Sequence, residues 1–169
     1  MTTTSPRPLA DMFRDAFRAH PAGVAVLTAD AGDGPVALTV SSLISLSPDP
    51  AMVAFSLSSR SSSAATLLEA GRLVIHMVRW PDIELARGGA TSGIDRFAAH
   101  PWERLADGEP RYTDVENWFR ARIAHVLPLE GATLVVAELL DGHVAPMTAE
   151  GSPPLVYHDR LWHSLPGAN

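Results

Sequence analysis

The sequence predicts a mainly β fold of the α+β class: a small antiparallel barrel with a helix at its N-terminus and short helices inserted between strands. Three observations carry this. About seven short runs are rich in β-branched and aliphatic residues, and Gly-, Pro- and Asp-bearing segments separate them. Strands and helices do not alternate regularly, as a parallel doubly wound sheet would require. No GxGxxG occurs, which disfavours a dinucleotide-binding parallel sheet.

Residues 1–8 are polar, carry Pro6 and Pro8, and read as a loose, disordered tail ahead of a single domain over 9–169. Leu9, Met12, Phe13, Ala16 and Phe17 then recur at helical spacing, with Asp11, Arg14, Asp15 and Arg18 opposite. This predicts an amphipathic helix covering one end of the core, stopped by His20-Pro21-Ala22-Gly23. Val24 to Thr28 and Val36 to Ser42 flank the turn cluster Gly32-Asp33-Gly34-Pro35, so a hairpin is expected. Ser47-Pro48-Asp49-Pro50 is a break, because proline cannot donate to a ladder and pushes its predecessor out of the helical region. Ala51 to Leu57 is the third strand and ends in the serine tract Ser58 to Ser63.

Ala64 to Ala70 holds good helix formers and Gly71 is a natural stop. Leu73 to Val78 reads as a largely buried strand. Pro81 suits the first turn of a short helix through Ala86, and Gly88 to Gly93 reads as flexible. His100 to Glu116 is loop-like. Phe119, Ala121 and Ile123 alternate with Arg120 and Arg122, the pattern of a half-exposed strand. Thr133 to Leu140 is strongly β-prone, with Asp141-Gly142 turning it into His143-Val144-Ala145. Pro153-Pro154 opens an edge-type strand, Leu155 to His158.

The 169 residues suffice for one sizeable core, and 46% hydrophobic with 19% charged residues is a globular composition. A net charge of −6 without any basic block argues against nucleic acid. The absence of cysteine removes disulfides, thiolate metal sites and Cys nucleophiles. The N-terminus has no apolar core segment like that of a signal peptide, and no apolar run reaches the ~20 residues of a membrane span. A cytoplasmic protein is expected, without membrane or nucleic-acid partners. The seven histidines include no HExxH and give no metal site; GxSxG and Walker loops are absent as well. Trp80, Trp102, Trp118 and Trp162 suit either stacking on a ring or a role as buried anchors or a dimer seam.

Small residues, hydroxyls and one Arg at a strand end and helix start suit a ligand with a flat ring and a phosphate. Taken alone, a serine tract is more often an N-cap and loop than a phosphate cradle.

Four stretches together are more specific. They are Pro21-Ala22-Gly23-Val24-Ala25-Val26-Leu27-Thr28; Leu38-Thr39-Val40-Ser41-Ser42-Leu43 with Ser45-Leu46-Ser47-Pro48-Asp49-Pro50; Asp95-Arg96-Phe97; and Pro154-Leu155-Val156-Tyr157-His158-Asp159-Arg160. In this order they resemble the flavin reductase-like family, over roughly Phe13 to His163. The resemblance implies an FMN-binding split barrel, usually a homodimer with the flavin near the subunit interface. It implies that Thr39, Val40, Ser41 and Ser42 lie beside the isoalloxazine. It also implies that Ser56, Ser58, Arg60, Ser61 and Ser63 serve the ribityl chain and phosphate, with Arg96 and Phe97 also on the cofactor side. The implied activity is NAD(P)H-dependent reduction of FMN or FAD, often in supply of a partner monooxygenase.

One departure bears on the nicotinamide side. Where the family commonly has Gly-Asp-His, this chain has Glu130-Gly131-Ala132, so the imidazole is missing. The family's Gly-Glu-Val matches Ala137-Glu138-Leu139, and Arg87-Gly88-Gly89-Ala90 lacks the usual Phe-Ala pair. His143, His158 and Arg160 are substitute candidates on the nicotinamide side, and no residue is assigned a catalytic role. Flavin binding without nicotinamide activity, as in a carrier or sensor, is the alternative.

Overall fold

The computed structural model describes residues 7–146 and 151–165. The elements in chain order are α1 (Leu9–Arg18), β1 (Ala22–Gly23), β2 (Ala25–Asp30), β3 (Pro35–Val40), β4 (Ile44–Pro48), β5 (Ala51–Ser58), α2 (Ala64–Ala70) and β6 (Arg72–His76). A 3-10 turn at Trp80–Asp82 leads into α3 (Ile83–Ala90), then β7 (Trp102–Arg104), β8 (Pro110–Tyr112), β9 (Trp118–Leu129), β10 (Ala132–His143), β11 (Leu155–His158) and β12 (Leu161–Ser164). Seven strands form one antiparallel sheet in the order β3-β2-β6-β9-β10-β5-β4. Its edges, β3 and β4, do not pair with each other, so the barrel stays split. No helix among the described residues is long and apolar enough to cross a membrane.

Burial explains why the sheet curls. Along β2, Ala25, Leu27 and Ala29 point into a core shared with Phe55, Leu57, Leu73, Ile75, Ala121 and Val135, and Leu67 of α2 plugs it. The alternate residue Val26, with Val24 just before the strand, packs on the other face against Leu85, Ala86, Phe97, Tyr112 and Leu155. One strand therefore has two dry faces, and its run of buried residues follows.

Several elements differ from expectation for identifiable reasons. The expected break at 47–50 is confined to a tight turn at Asp49-Pro50; ahead of it Ile44–Pro48 is an unforeseen strand, which as the sheet edge pairs only with β5 and tolerates a terminal proline. Residues 100–116 contain the β7–β8 hairpin, whose three-residue strands are too short for periodicity to mark. Asp141-Gly142 is not a turn. β10 runs on through it to His143 with a register shift between Leu139 and Asp141, a bulge. The turn lies earlier, at Glu130-Gly131, where Gly131 takes φ 83°. Gly88 and Gly89 belong to α3 instead of a flexible segment. β12 was also missed. Asp159 and Arg160, its hairpin turn, both sit at positive φ (50° and 62°), although neither is glycine.

Helix α1 does not cover the core. None of its residues is buried, and Leu9, Met12, Phe13 and Phe17 are 50–79% exposed. Its C-terminal end is fastened elsewhere: Asp159 N donates to Arg18 O (2.9 Å), and Arg18 Nε donates to Asp159 Oδ1 (2.6 Å). Of the expected loose tail, residues 1–6 lie outside the described residues, while Arg7 pairs with Asp15.

His76 pins three strands together. Its Nδ1 lies 3.0 Å from Val26 O, and the Tyr112 backbone N donates to its Nε2 (3.0 Å). The ring is therefore neutral, with the proton on Nδ1. Burial pushes its pKa down to about 4. Above pH 6.5, histidine is neutral in both folded and unfolded chains and no stability is lost. Between pH 6.5 and 4 the unfolded chain takes up a proton that the fold refuses, so stability falls with pH by about 3 kcal/mol and then levels off. Denaturant unfolding measured at pH steps from 7.5 to 4 should show this decline, and His76→Gln should flatten that part of the profile.

Candidate functional site

The sheet brings the Thr39–Ser42 segment, at the exit of β3, against two other parts of the chain. A cleft of about 180 Å³ lies between Val24, Thr39 and Ser41 on one side, Ala90 at the end of α3, and Tyr157 with Trp162 from β11 and β12. Among the described residues no carboxylate lines it. Tyr157 and Trp162 are cross-strand partners, their rings 4.9 Å apart and tilted by 59°, and they make one aromatic wall.

The predicted site residues divide by what their polar groups already do. Thr39 Oγ1 donates to Ala86 O (2.7 Å), so its hydroxyl is tied to α3. Val40 is buried in the core and offers only its backbone. Ser42 Oγ accepts from Ser56 N (3.0 Å) and donates to Ser56 O (3.2 Å), joining the exit of β3 to β5. Ser58 Oγ accepts from Arg60 N (3.3 Å). Ser63 is 2% exposed, and its hydroxyl donates to Ala37 O (3.2 Å) while accepting from Arg96 Nη1 (2.6 Å). Phe97 is buried and stacks on Tyr112 at 4.8 Å. By contrast, the hydroxyls of Ser41, Ser56 and Ser61 and the guanidinium of Arg60 make no hydrogen bond to other described residues. Ser41, Ser56 and Arg60 are exposed. The free polar groups thus lie along a seam from the cleft, across Ser42 and Ser56, to the serine tract.

The segment that lacks the histidine belongs to this seam. Ala132 is the cross-strand partner of Ser58. The neighbouring Ser59 donates to Gly131 O through both its amide (3.1 Å) and its hydroxyl (3.0 Å). The substitute candidates are placed differently. His158 sits next to Tyr157 on β11, and strand alternation turns its side chain away from the cleft; its ring lies 5.7 Å from that of His163. Arg160 is at the hairpin tip, and His143 is exposed at the far end of β10 opposite Trp118. The structure brings none of the three into the cleft wall.

Sequence reading missed Tyr157 as a site residue and left Trp162 undecided. A hairpin centred on Asp159-Arg160 would have paired them, but that dipeptide carries no turn signature. A second, apolar cavity of about 360 Å³ opens at the split end of the barrel, among Leu43, Ile44, Val53, Ile75, Phe119 and Leu139.

The family described as "flavin reductase like domain" matches residues 17–166. A relative from Rhodococcus qingshengii named NADH:FMN oxidoreductase is 36% identical over 152 residues, 89% of this chain and 79% of the relative. The stachydrine N-demethylase reductase subunit Stc3 of Rhizobium meliloti (strain 1021) is 29% identical over 136 residues, 77% of this chain and 59% of the relative. Among solved structures, a flavin reductase domain protein from Arthrobacter sp. FB24 superposes with a TM-score of 0.87 at 29% identity, covering 95% of this chain and 98% of that one.

Gly89 decides how closely α3 approaches β3. A Cβ there would run into Thr39 Oγ1 and lie 3.1 Å from Thr39 N, whereas a Cβ at Gly88 meets nothing within 4 Å. Gly89→Ala should therefore lower stability by about 1–3 kcal/mol through overpacking. Gly88→Ala should be neutral or stabilise by up to ~1 kcal/mol through helix propensity. Paired denaturant melts of the two variants provide the comparison.

Proposed function

The chain belongs to the flavin reductase-like family, and from that membership we propose that it is an NAD(P)H:flavin oxidoreductase binding FMN or FAD. The observation that carries this reading is the cleft and its seam, where uncommitted hydroxyls and one guanidinium run out from an aromatic-walled slot that no carboxylate lines among the described residues. The donor set suits the group. Backbone amides at Thr39 to Ser42 and the Ser41 hydroxyl would meet the polar edge of the ring. Ser56, Ser58, Arg60 and Ser61 would face the ribityl chain and phosphate. Ser63, Arg96 and Phe97 would support that surface from behind.

A bound flavin supplies the two-electron acceptor chemistry. The chain's own task is to hold the two ring systems face to face and keep water out. Transfer between stacked rings needs positioning and no protein acid or base, consistent with the absence of an assigned catalytic residue. NADH is favoured as the donor by the name of the Rhodococcus relative.

A second reading has one observation behind it. Ala132, opposite Ser58, supplies no imidazole where the family commonly has one, as befits a flavin carrier or sensor without nicotinamide activity. His143, His158 and Arg160 remain candidates on the donor side only if donor binding lies outside the cleft. The two readings part in an anaerobic assay: protein, FMN and then NADH or NADPH, with loss of oxidised flavin absorbance followed against a protein-free control. The reductase reading expects rapid bleaching with at least one donor. Bound flavin that stays oxidised would leave the carrier.

We also read the protein as a cytoplasmic homodimer. At about 180 Å³ the cleft is smaller than the ~300–1,000 Å³ typical of ligand pockets, so a partner's surface would complete it. The uncovered stripe Leu9, Met12, Phe13 and Phe17 offers apolar area for such a contact. The Stc3 relative is named as the reductase subunit of an N-demethylase, which supports service to a partner enzyme; the partner we propose is a flavin-dependent monooxygenase. Sedimentation should give the mass of two chains for the native protein and of one chain for Phe13→Glu with Phe17→Glu. A monomeric native protein would exclude the dimer.

A further inference from the structure

We propose that Arg96 is a positioning residue for the flavin seat: it sets the spacing of three segments that carry the seat and does so without contacting the flavin. The inference rests on the flavin-binding reading above. Four of the five guanidinium N–H groups are already directed at protein acceptors. Nε and Nη2 donate to Thr91 O at 3.0 and 2.7 Å, and Nη1 donates to Ala37 O and to Ser63 Oγ, both at 2.6 Å. No carboxylate pairs with it among the described residues.

Those three acceptors belong to different elements. Thr91 follows α3 and Ala90 of the cleft; Ala37 lies in β3, two residues before Thr39; Ser63 immediately precedes α2 and ends the serine tract. Each segment also carries part of the candidate site. The Arg96 backbone is held just as firmly, because the Tyr112 hydroxyl donates to Arg96 O (2.7 Å) and Tyr112 itself is fully buried between Phe97 and His76. The planar fork thus measures the distance between the ring edge and the serine tract. Lysine, with one compact ammonium, cannot span the same three acceptors.

The test is equilibrium binding of FMN and of riboflavin, which lacks the phosphate, to wild type, Arg96→Ala, Arg96→Lys and Ser63→Ala, followed by flavin fluorescence. Ser63 is buried and cannot reach a ligand, so its variant reports on the linkage alone. Arg96→Ala should weaken FMN binding about tenfold and riboflavin binding much less, given the loss of several charge-assisted hydrogen bonds. Arg96→Lys should fail to restore it, and Ser63→Ala should show part of the FMN-selective loss, less than additively with Arg96→Ala.

Full rescue by Arg96→Lys would overturn the proposal in favour of direct charge contact with phosphate. Equal losses for both flavins would overturn it in favour of general destabilisation, and Arg96→Lys and Ser63→Ala give the same comparison if Arg96→Ala does not fold. Wild-type protein that binds neither flavin would overturn the flavin-binding reading and this inference with it. Tight FMN binding without turnover would remove only the reductase activity and leave the role of Arg96 to be decided by the variants.

Discussion

The burial of both faces of β2 is the constraint from which the molecule's layout follows. A strand dry on one side needs only a sheet and a plug; a strand dry on both needs a second layer. Here Ala25, Leu27 and Ala29 meet the inside of the curled sheet, while Val24 and Val26 demand an outer cover. That cover consists of α3, the β8 segment and β11. Because it must come close, it brings Ala90, Tyr157 and Trp162 to the exit of β3, and the cleft forms where the two layers fail to meet completely.

Within that frame, the hydroxyl-rich stretch does two jobs. Thr39, Ser42 and Ser63 spend their hydroxyls on protein carbonyls and amides and so act as joints between β3, β5, α3 and α2. Ser41, Ser56 and Ser61 keep theirs uncommitted, and Arg60 keeps its charge. A seat for a polar ligand needs both kinds, since a free hydroxyl is useful only if its backbone is held. The Ser59–Gly131 contacts extend the same framework to the β9–β10 turn, where the family's histidine is absent.

The strands with strong alternation or dense apolar content, β2, β3, β5, β6 and β10, were legible in the sequence, as were α1 and α2, because their signals are local. What was hidden depended on partners distant in sequence. β4 ends in a proline and is a strand only because β5 accepts it as an edge. The turn before β12 uses Asp159 and Arg160 at positive φ, a conformation that Arg18 helps hold from 141 positions away. Gly89 reads as flexible by composition, but it is helical and packed against Thr39. In the candidate site, the residue types were legible and their division of labour was not. Nothing in a run of serines says which hydroxyl faces a carbonyl and which faces solvent. The two aromatic residues of the cleft wall became visible only once the hairpin paired them.

The clasp between Arg18 and Asp159 has a mechanical side. Asp159 stands two residues from Tyr157 and three from Trp162, so the N-terminal helix and the cleft's aromatic wall hang on one short lever. Among the described residues none of the helix is buried, so little packing holds it in place. A contact made on its apolar stripe would be felt at the β11–β12 hairpin through the two Arg18–Asp159 hydrogen bonds. Were a second copy of the chain that contact, as proposed above, affinity for a small molecule would rise and fall with the concentration of the protein itself.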